Sequence, residues 1–492
     1  MEAKDNEAKR DGRRGFAEPR STGEAGTPTP GDPAEGRGRR VTDPPEGKAA
    51  GSQTPETVST KLERIAELAR QAPGMVFRSL AHYIDIEFLK EACRRTRKDG
   101  AKGVDGQSAE EYEERLDENL RSLLDRFKSG SYRAPPVRRV HIPKADGKTR
   151  PIGIPTFEDK VLQRAVVMVL GSVYEQDFRD CSFGFRPKRS AHQALSTLRE
   201  ALMEMGGGWV LDVDIKGFFD TIDPSHLRAF LDLRVSDGVL RRTIGKWLKA
   251  GVQEDGALTY PETGTPQGGV VSPLLANVYL HEVLDKWFLD EVRPRLDGRA
   301  ELVRYADDFV IVCKQEVDAR RILAVLPKRF GKYGLTLHPE KTRLVRFLPP
   351  ARHEPPEDDG PGTFDLLGFT HYWARSRRGY WVVKRKTAHK RFTRALKATA
   401  EWCWEHLHDA LKDQHRTLAA KLRGHFNYYG ITGNSGALSR FKREVTRLWR
   451  KALERRSRAK SLTWKRFKRL LKVFPLPPAI AVHSDLRLSA NP

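Results

Sequence analysis

The sequence contains few cysteines and no long apolar run. Its 492 residues include four cysteines, and no two of them form the Cys-x-x-Cys pair that zinc knuckles and redox sites use. We therefore expect neither disulfides nor a zinc site, and we interpret Cys93, Cys181, Cys313 and Cys403 as buried thiols. No stretch of about 18 apolar residues occurs, and the N-terminus lacks the pattern of a secretory signal. These absences favour a cytoplasmic protein without a membrane partner.

The N-terminal segment also lacks what a folded core needs. Residues 1–60 contain no leucine and no isoleucine, and Phe16 is their only aromatic residue. Such a composition cannot bury enough apolar surface to fold, so we expect a disordered tail with at most weak RNA affinity. Helical spacing begins after it and predicts a helical extension over residues 61–100. Its two predicted apolar faces consist of Leu62, Ile65, Leu68 and Ala69, and of Leu80, Ile84, Phe88 and Leu89.

Positive charge, by contrast, is abundant. The formal net charge of +24 at pH 7 indicates a polyanionic partner, and nucleic acid is the natural candidate. Lysine and arginine that only keep the surface soluble are the alternative, but the C-terminal third groups these residues on helices. Two predicted helices there each combine an apolar face with a basic one, which predicts salt-sensitive phosphate binding.

The residues of these two helices divide cleanly by type. The apolar faces are Phe441, Val445, Leu448 and Ala452, followed by Trp464, Phe467, Leu470 and Leu471. The candidates for RNA binding are Arg423, Lys442, Arg443, Arg447, Arg450, Lys451, Lys465 and Arg466. The aromatic residues and histidine of the stretch 422–430 are interpreted as helix packing, with stacking on RNA as the alternative.

Two adjacent acids interrupt an otherwise apolar hairpin. Residues 302–312 have the β-branched, apolar character of paired strands, yet Asp307 and Asp308 lie among them. Charge at the tip of a buried strand pair is unfavourable without a cation or hydrogen-bond donors, so adjacent acids there indicate a divalent metal. A solvated turn is the competing interpretation, because Ala-Asp-Asp is acceptable turn chemistry. A second acid on a similar strand would favour the metal.

That second acid follows another predicted strand. Residues 209–215 alternate with the period of a strand, which places Asp212 and Asp214 on the face opposite the apolar residues. One of these two acids is expected to bind metal. Asp223, which precedes Pro224, is interpreted as a helix N-cap. An acid at one strand end and an acid pair 93 positions later (307 minus 214) can hold two Mg²⁺ ions, as two-metal phosphoryl transfer requires.

Eight motifs follow one another along the chain. Any one of them could occur by chance, but all eight in this order could not. They are Gly-Val-Asp-Gly at 103–106, Ile-Pro-Lys-Ala-Asp-Gly-Lys-Thr-Arg-Pro at 142–151, Ser-Phe-Gly-Phe-Arg-Pro at 182–187, Asp-Ile-Lys-Gly-Phe-Phe at 214–219, Gly-Thr-Pro-Gln-Gly-Gly at 264–269, Tyr-Ala-Asp-Asp at 305–308, Gly-Leu-Thr-Leu at 334–337 and Leu-Gly-Phe at 367–369. With these motifs the chain resembles the group II intron reverse transcriptases and maturases over roughly residues 60–485.

The resemblance implies an α+β fold shaped like a right hand. Fingers are expected at residues 101–208, a palm with an antiparallel sheet at 209–375, and a helical thumb or maturase domain at 385–475. A break rich in proline, glycine and acids is predicted at residues 349–362. Residues 476–492 are expected to form a short tail, as in the members of the family that lack an endonuclease domain.

The resemblance also implies the roles of the site residues. Asp214, Asp307 and Asp308 are expected to be catalytic and to bind two Mg²⁺ ions, with Mn²⁺ as an alternative metal. Lys144 and Arg150 fall where the family contacts the incoming nucleotide.

Lys144 and Arg150 lie near one edge of a predicted hairpin. Residues 140–144 and 149–152 form its strands, and an Asp-Gly turn lies at 146–147. Two cations there suit a triphosphate, although a solvated hairpin is an equal alternative from the residues alone. The resemblance favours nucleotide binding.

Three further residues are candidates for roles at the nucleotide site. Phe219 would lie under C2′ of the sugar and exclude a ribonucleotide, with a core phenylalanine as the alternative; Phe218 is interpreted as core. Gln267, in a Gly-rich turn before an apolar helix over residues 270–284, offers an amide to the nucleotide or template. Lys341 is a candidate proton donor to pyrophosphate, with an exposed turn lysine as the other interpretation.

The acids and the resemblance together predict an RNA-directed DNA polymerase. It would copy group II intron RNA into cDNA during retrohoming and aid intron splicing as a maturase. Expected partners are intron RNA, an RNA template with a DNA primer, dNTPs, and target DNA reached as a ribonucleoprotein. Two alternatives stay open: a splicing-only RNA-binding maturase, and a related retron, diversity-generating or defence reverse transcriptase. The complete set of acids and cations counts against the first alternative, and the N-terminal extension and maturase-like thumb count against the second.

Overall fold

The computed structural model describes residues 57–143, 149–254, 256–260, 268–350, 362–456 and 462–483. The expected N-terminal tail lies outside these ranges except for its last residues. Most of the predicted break at 349–362 and the end of the C-terminal tail also lie outside them.

The first helix begins earlier than its apolar spacing predicts. Helix α1 spans Val58–Gln71 and is capped by the side chain of Thr57. The predicted tail boundary is therefore wrong by a few residues, because a polar cap rather than the first apolar residue sets the start of a helix. Ile65 and Ala69 are buried as predicted, whereas Leu68 is 39% exposed on the outer side of the helix.

The second predicted helix is shorter than expected. Residues Ala81–Tyr83 form one 3₁₀ turn, and helix α2 spans only Ile86–Arg95. Leu80 and Ile84 are buried but precede the helix. The reason is again a cap, since the side chain of Asp85 accepts a backbone N–H of the first turn of α2.

Helices continue through the first half of the chain. Their bounds are α3 Ala109–Glu113, α4 Leu116–Ser129, α5 Phe157–Asp177 and α6 Ala191–Glu204. Helix α5 has buried residues along its whole length, and α1, α2 and α3 pack against it. It is the central helix of the N-terminal half.

Strands of the described residues form three sheets, with orders β2-β1-β4-β5, β6-β7-β3-β8 and β11-β10-β9. The pairings are antiparallel apart from a short parallel step between β1 and β4. Mixed helices and mainly antiparallel sheets confirm the predicted α+β class. The bounds are β1 Val137–Pro143, β2 Thr149–Ile154, β3 Gly208–Val213, β4 Val252–Glu254, β5 Ala257–Thr259, β6 Ala300–Tyr305, β7 Asp308–Cys313, β8 Arg343–Phe347, β9 Phe364–Leu366, β10 Phe369–Arg375 and β11 Trp381–Thr387.

The central sheet, β6-β7-β3-β8, is covered on both faces. Leu211 and Val213 of β3 lie in the main core, as the alternation predicts. Val210, on the opposite face, packs in a second buried cluster with Val310 and Phe347. A sheet covered on both faces tolerates charge only at its edges and ends.

The remaining helices follow the strands that they cover. Asp223 caps α8 with Pro224 in its first turn, as predicted. The apolar helix predicted over 270–284 begins at Ser272 and continues beyond 284 through wider turns at His281–Asp285 and Trp287–Val292 and a 3₁₀ turn at Arg293–Arg295. The bounds are α7 Phe218–Thr221, α8 Pro224–Asp232, α9 Gly238–Leu248, α10 Ser272–Leu280, α11 Glu316–Gly331, α12 His389–Glu405, α13 Leu411–Tyr429, α14 Ser435–Arg456 and α15 Trp464–Val473.

The C-terminal helices share a core of aromatic residues. The ring of His425 on α13 stacks on Phe441 of α14, with centroids 3.8 Å apart, so this histidine packs helices as predicted. Trp449 is 1% exposed, while Leu448, predicted for the apolar face, is only half-buried. Phe441, Val445 and Ala452 are buried as predicted, so the prediction was wrong only in assigning Leu448 rather than Trp449 to the apolar face of α14.

The four cysteines are free thiols, three of them buried and Cys181 partly buried. Within the described ranges, no helix combines the length and apolar character needed to cross a membrane.

Asp237 joins the N-terminal extension to helix α9. Its carboxylate accepts the backbone N–H groups of Leu80 at 2.6 Å, Ala81 at 2.9 Å, Val239 at 2.8 Å and Leu240 at 3.0 Å. Burial alone would raise the pKa of Asp237, but these four donors lower it overall. One side chain thus serves two segments that are distant in sequence.

Asp237→Ala should lower the free energy of unfolding by about 3 kcal/mol, because it leaves buried N–H groups without an acceptor. Ser108→Ala is the matched control: Ser108 caps α3 near the surface, and its loss should cost about 1 kcal/mol. Urea unfolding followed by circular dichroism measures both. Equal losses would show that Asp237 acts only as an ordinary helix cap.

Candidate active site

The strand register brings the predicted acids to one end of the central sheet. Strands β3 and β7 are antiparallel, with Val213 opposite Phe309. Asp214 follows Val213 and Asp308 precedes Phe309, so the two acids continue the same register on adjacent strands. Residues opposite each other project to the same face. Asp307 lies beside Asp308, and the three predicted acids therefore come together.

The hairpin that carries the acid pair has a two-residue turn. Strand β6 ends at Tyr305 and β7 begins at Asp308, which leaves Ala306 and Asp307 between them. Ala306 has a φ of 59°, a left-handed value that is unfavourable for a residue with a Cβ. Contacts around the turn must stabilise this conformation.

The environment of Asp307 and Asp308 disfavours their negative charge. Although Asp308 is exposed at the start of β7, loss of surrounding water to the neighbouring protein raises its pKa to about 6, and the charges of Asp307 and Asp214 add to the rise. Burial also raises the pKa of Asp307, with a contribution from Asp214, whereas Arg150 and Arg304 act in the opposite direction. Negative charge is concentrated here beyond what the protein compensates, which is the electrostatic character of a cation site.

Two cations beyond α11 contact Asp212 of β3 and Asp214, which follows this strand. Lys341 Nζ donates to Asp214 Oδ2 at 3.0 Å, and Arg343 Nε donates to Asp212 Oδ2 at 3.1 Å. Asp212 and Arg343 are also register partners across β3 and β8. The side chain of Lys341 is 60% exposed, yet its amino group lies at the acid site. Its role as a proton donor stays a prediction.

The nucleotide-binding candidates are only partly within the described residues. Arg150 is near enough for its charge to lower the pKa of Asp307, so strand β2 reaches the acids. Lys144 and Gln267 lie outside the described residues. Gly268, next to Gln267, has a φ of 115°, and a Cβ there would lie 2.3 Å from the Gly153 carbonyl oxygen. The Gly-rich turn therefore meets β2, the strand that carries Arg150.

Phe218 and Phe219 lie side by side in α7, a few residues after Asp214. Their ring centroids are 5.3 Å apart. Phe218 is 3% exposed and belongs to the main core, as predicted, and Phe219 is 9% exposed in the same cluster. Selection of the sugar by Phe219 stays a prediction.

A fully buried arginine, which the sequence reasoning missed, supports the acid-bearing turn. The side chains of Arg304 and Asp285 are both 0% exposed. Arg304 Nε donates to Asp285 Oδ1 at 2.7 Å, and its Nη1 donates to Asn277 Oδ1 at 2.9 Å and to the Ala306 carbonyl at 3.1 Å. The last bond holds the turn directly. The signal in the sequence was a charged residue within an apolar strand, which burial allows only with partners.

The Ser-Phe-Gly-Phe-Arg-Pro motif packs against the same turn. Phe183 N donates to the Arg304 carbonyl at 2.9 Å, and Asn277 Nδ2 donates to the Gly184 carbonyl at 2.8 Å. A Cβ at Gly184 would lie 2.3 Å from Ala306 N. Only glycine allows this approach, so the motif packs directly against the turn and supports it.

Known proteins are similar to this chain over the region of the site. The family model described as "Reverse transcriptase (RNA-dependent DNA polymerase)" matches residues 142–371, a range that includes all three acids. The chain is 35% identical to Protein YkfC of Escherichia coli (strain K12) over 361 residues, which cover 65% of this chain and 90% of YkfC. The chain belongs to the reverse transcriptase family.

Relatives of this reverse transcriptase include intron-encoded proteins. It is 42% identical over 234 residues to the group II intron-encoded protein LtrA of Lactococcus lactis subsp. cremoris, 46% of this chain and 38% of LtrA. It is 28% identical over 177 residues to nuclear intron maturase 2, mitochondrial, of Arabidopsis thaliana, 28% of this chain and 24% of that protein. The chain thus spans much less than two thirds of these two relatives. The predicted resemblance to group II intron reverse transcriptases and maturases is confirmed, and so is the enzyme class, RNA-directed DNA polymerase.

Reverse transcriptases use divalent metal ions, and the carboxylates of this one fit such an ion. In the part of the chain that the structure describes, no three His, Cys, Asp or Glu side chains form a ready-made metal cage. Mg²⁺ usually binds one or two carboxylates and completes its shell with water and substrate phosphates. An open group of acids with raised pKa values, such as Asp307 and Asp308, suits that mode of binding.

The reverse transcriptase carries its predicted RNA-binding residues on α13, α14 and α15. Two of them have structural contacts, because Lys442 donates to the Leu476 carbonyl at 3.2 Å and Arg450 donates to the Leu462 carbonyl at 2.7 Å. The others are exposed: Arg423, Arg443, Arg447, Lys451, Lys465 and Arg466. The structure leaves these six side chains accessible to a nucleic acid, although Arg447 also pairs with Glu444.

Arg304→Met should lower the free energy of unfolding by about 3–5 kcal/mol, because it leaves the buried Asp285 charge unpaired. Adding Asp285→Leu should recover a large part of this loss, since no unpaired charge then remains. Urea unfolding of the wild type, both single variants and the double variant completes the cycle. A double variant no more stable than Arg304→Met would contradict direct pairing.

Asp308→Asn should raise the melting temperature of the metal-free protein at neutral pH. An acid with a pKa of about 6 in the folded state and about 3.9 in the unfolded state destabilises the fold increasingly as pH rises through that interval. The gain should therefore shrink toward zero as pH falls to about 4. Calorimetry in EDTA measures it, with Asp125→Asn on the exposed side of α4 as the control. A gain that persists at low pH would exclude an electrostatic cause.

Proposed function

We propose that this reverse transcriptase copies group II intron RNA into cDNA during retrohoming and assists intron splicing as a maturase. The observation that carries the proposal is the group of Asp214, Asp307 and Asp308 at one end of the central sheet. The kinship with LtrA and with an intron maturase supports the intron RNA as template. A protein that only bound RNA would gain nothing from placing Asp214 where its charge raises the pKa of Asp307 and Asp308.

The three acids are the proposed ligands of two Mg²⁺ ions, with Mn²⁺ as an alternative. When bound, the ions would lower the pKa of the primer 3′-hydroxyl and neutralise the leaving pyrophosphate. Asp214 follows β3, and Asp307 and Asp308 belong to the hairpin that pairs with β3. Direct pairing of the two strands keeps the proposed ligands in a fixed relation to one another.

Cations around the acids would bind the triphosphate of the incoming dNTP. Arg150 suits bidentate contact with a phosphate, and Lys144 suits a point charge. Lys341, which donates to Asp214, would give a proton to the departing pyrophosphate. Gln267 would hydrogen-bond the nucleotide or the template.

The right-hand subdomains follow as part of this proposal. Residues 101–208 would form the fingers, residues 209–375 the palm, and residues 385–475 the thumb or maturase domain. The exposed cations of α13–α15 would bind intron RNA, and the resulting ribonucleoprotein would reach target DNA. A cytoplasmic location stays a prediction.

Asp307→Ala should abolish primer extension on an RNA template with Mg²⁺ and dNTPs, yet leave RNA affinity nearly intact. It removes a metal ligand and no phosphate contact. Primer extension and filter binding measure the two properties, and the Asp307→Ala/Asp308→Ala double variant should behave in the same way. Asp125→Ala, which removes an exposed acid on α4, should match the wild type.

Two outcomes of that experiment would change the conclusion. Loss of RNA affinity together with activity in Asp307→Ala would make this acid structural. If the wild type extended no primer but bound intron RNA and aided splicing, the splicing-only maturase would replace the polymerase.

Phe219→Ala should let the enzyme incorporate ribonucleotides, because the ring that would exclude the 2′-hydroxyl is gone. Phe218→Ala is the matched control: it removes the neighbouring ring, which is 3% exposed, and should lower stability without changing sugar selection. Primer extension with competing dNTPs and rNTPs measures the ratio. Unchanged selectivity in Phe219→Ala would refute the steric role, and equal relaxation in both variants would indicate a general disturbance of α7.

A further inference from the structure

A basic cleft lies apart from the acid site. Its volume is about 690 Å³, and its walls come from the segment before β1, from α8 and α9, and from the residues around β4 and β5. No acidic residue is among the described residues that line it, and neither are Asp214, Asp307 or Asp308. The charged lining residues are Arg133, Arg228, Arg241, Arg242, Lys246 and Lys249.

Two of these cations fix the shape of the cleft. Arg241 pairs with Asp232 at 2.7 Å. Lys246 Nζ donates to the carbonyl oxygens of Gly130 at 2.7 Å and Tyr132 at 2.6 Å. These bonds tie α9 to α8 and to the segment that leads into β1. The cleft therefore has walls joined by specific contacts.

The other four cations are available to a ligand. Arg133, Arg228, Arg242 and Lys249 are exposed, and none of them has a hydrogen bond or ion pair with another described residue. Four such charges facing one concave space repel one another, so an anion that bridges them would stabilise the cleft.

The spacing of the cations suits a chain of phosphates better than one small anion. Arg242 on α9 and Lys249 at its C-cap lie on one side of the helix, with Lys246, which backbone carbonyls hold in place, between them at intervals of four and three residues. The seven steps from Arg242 to Lys249 (249 minus 242) span about 10 Å of helix axis. That length is enough for the cations at its two ends to contact different phosphates of one strand. Arg133 and Arg228 extend the positive surface to other elements.

An aromatic ring at the rim adds a contact for bases. Tyr260 is 68% exposed and lines the cleft. Its ring lies close to Gly251, where a Cβ would be 3.2 Å from Tyr260 Cε1. The ring thus touches the backbone near Gly251, while most of its surface is open. Cations that follow a backbone, combined with an open aromatic face, are typical of sites for single-stranded nucleic acid.

We propose that this cleft binds the phosphate backbone of a single RNA strand outside the catalytic site. The choice of RNA rests on the proposed function, whereas the preference for a run of phosphates rests on the cleft itself. A second contact of this kind would hold an RNA at two separate places on the protein, the cleft and the C-terminal helices.

The test compares two charge-reversal variants of the full chain. The probe is a labelled oligouridine RNA, titrated by fluorescence anisotropy over a range of NaCl concentrations. The cleft variant carries Arg228→Glu, Arg242→Glu and Lys249→Glu. The control carries the same number of reversals at exposed cations elsewhere, on α1 and at the end of α11: Arg64→Glu, Lys328→Glu and Lys332→Glu.

We expect the cleft variant to lose about tenfold or more in affinity and about two units of salt slope, because each phosphate contact of a single strand contributes about 0.7. The control should stay near the wild type. A third variant with glutamine at the three cleft positions should show a smaller loss, and it serves if the glutamate variant fails to fold by circular dichroism.

Two results would overturn the proposal: wild-type affinity in a folded cleft variant, or an equal loss in the control. Primer extension by the wild type is measured in parallel. Its absence would count against the proposed polymerase while leaving the comparison of RNA affinities valid.

Discussion

The buried pair of Arg304 and Asp285 is the contact on which the acid site depends. Both side chains are fully enclosed, so neither charge is tolerable without the other. From this pair Arg304 reaches Asn277 and the carbonyl of Ala306, and Ala306 has the left-handed φ that makes the turn possible. This turn positions Asp307. A rigid support is needed because the charges brought together here are unfavourable: Asp307 raises the pKa of Asp308, and Asp214 raises the pKa of both.

Charge is distributed over the molecule in two distinct ways. At the end of the central sheet, several acids lie close together, and cations contact two of them directly, as Lys341 contacts Asp214. Elsewhere the net charge of +24 is expressed as exposed lysine and arginine, on the C-terminal helices and in the cleft beside α9. A metal site requires the first arrangement and phosphate binding requires the second. One chain can therefore attract a polyanion while keeping a small region for divalent cations.

Local features of the fold followed closely from the sequence. The alternation of residues 209–215, the β-branched hairpin around Asp307 and the cap at Asp223 all depend on neighbours a few positions away, and all are present. Errors arose where two local signals competed. At Asp85 the cap overrode the apolar spacing that had joined Leu80 to a helix. On α14, packing against α13 buried Trp449 in preference to Leu448, because a large ring contributes more apolar area than a leucine.

The sequence by itself determined the order of the motifs, the α+β class, the identity of the three acids and the excess of positive charge. Each of these properties follows from the residue types and their short-range spacing. The tertiary structure decided which residues from distant segments lie next to one another. Only the register of β3 with β7 places Asp214 beside Asp308, and only folding supplies Asp285 and Asn277 to Arg304. A buried charge is visible in a sequence as an anomaly, but its partner is chosen by packing between segments that are distant in the chain, and no local pattern encodes that choice.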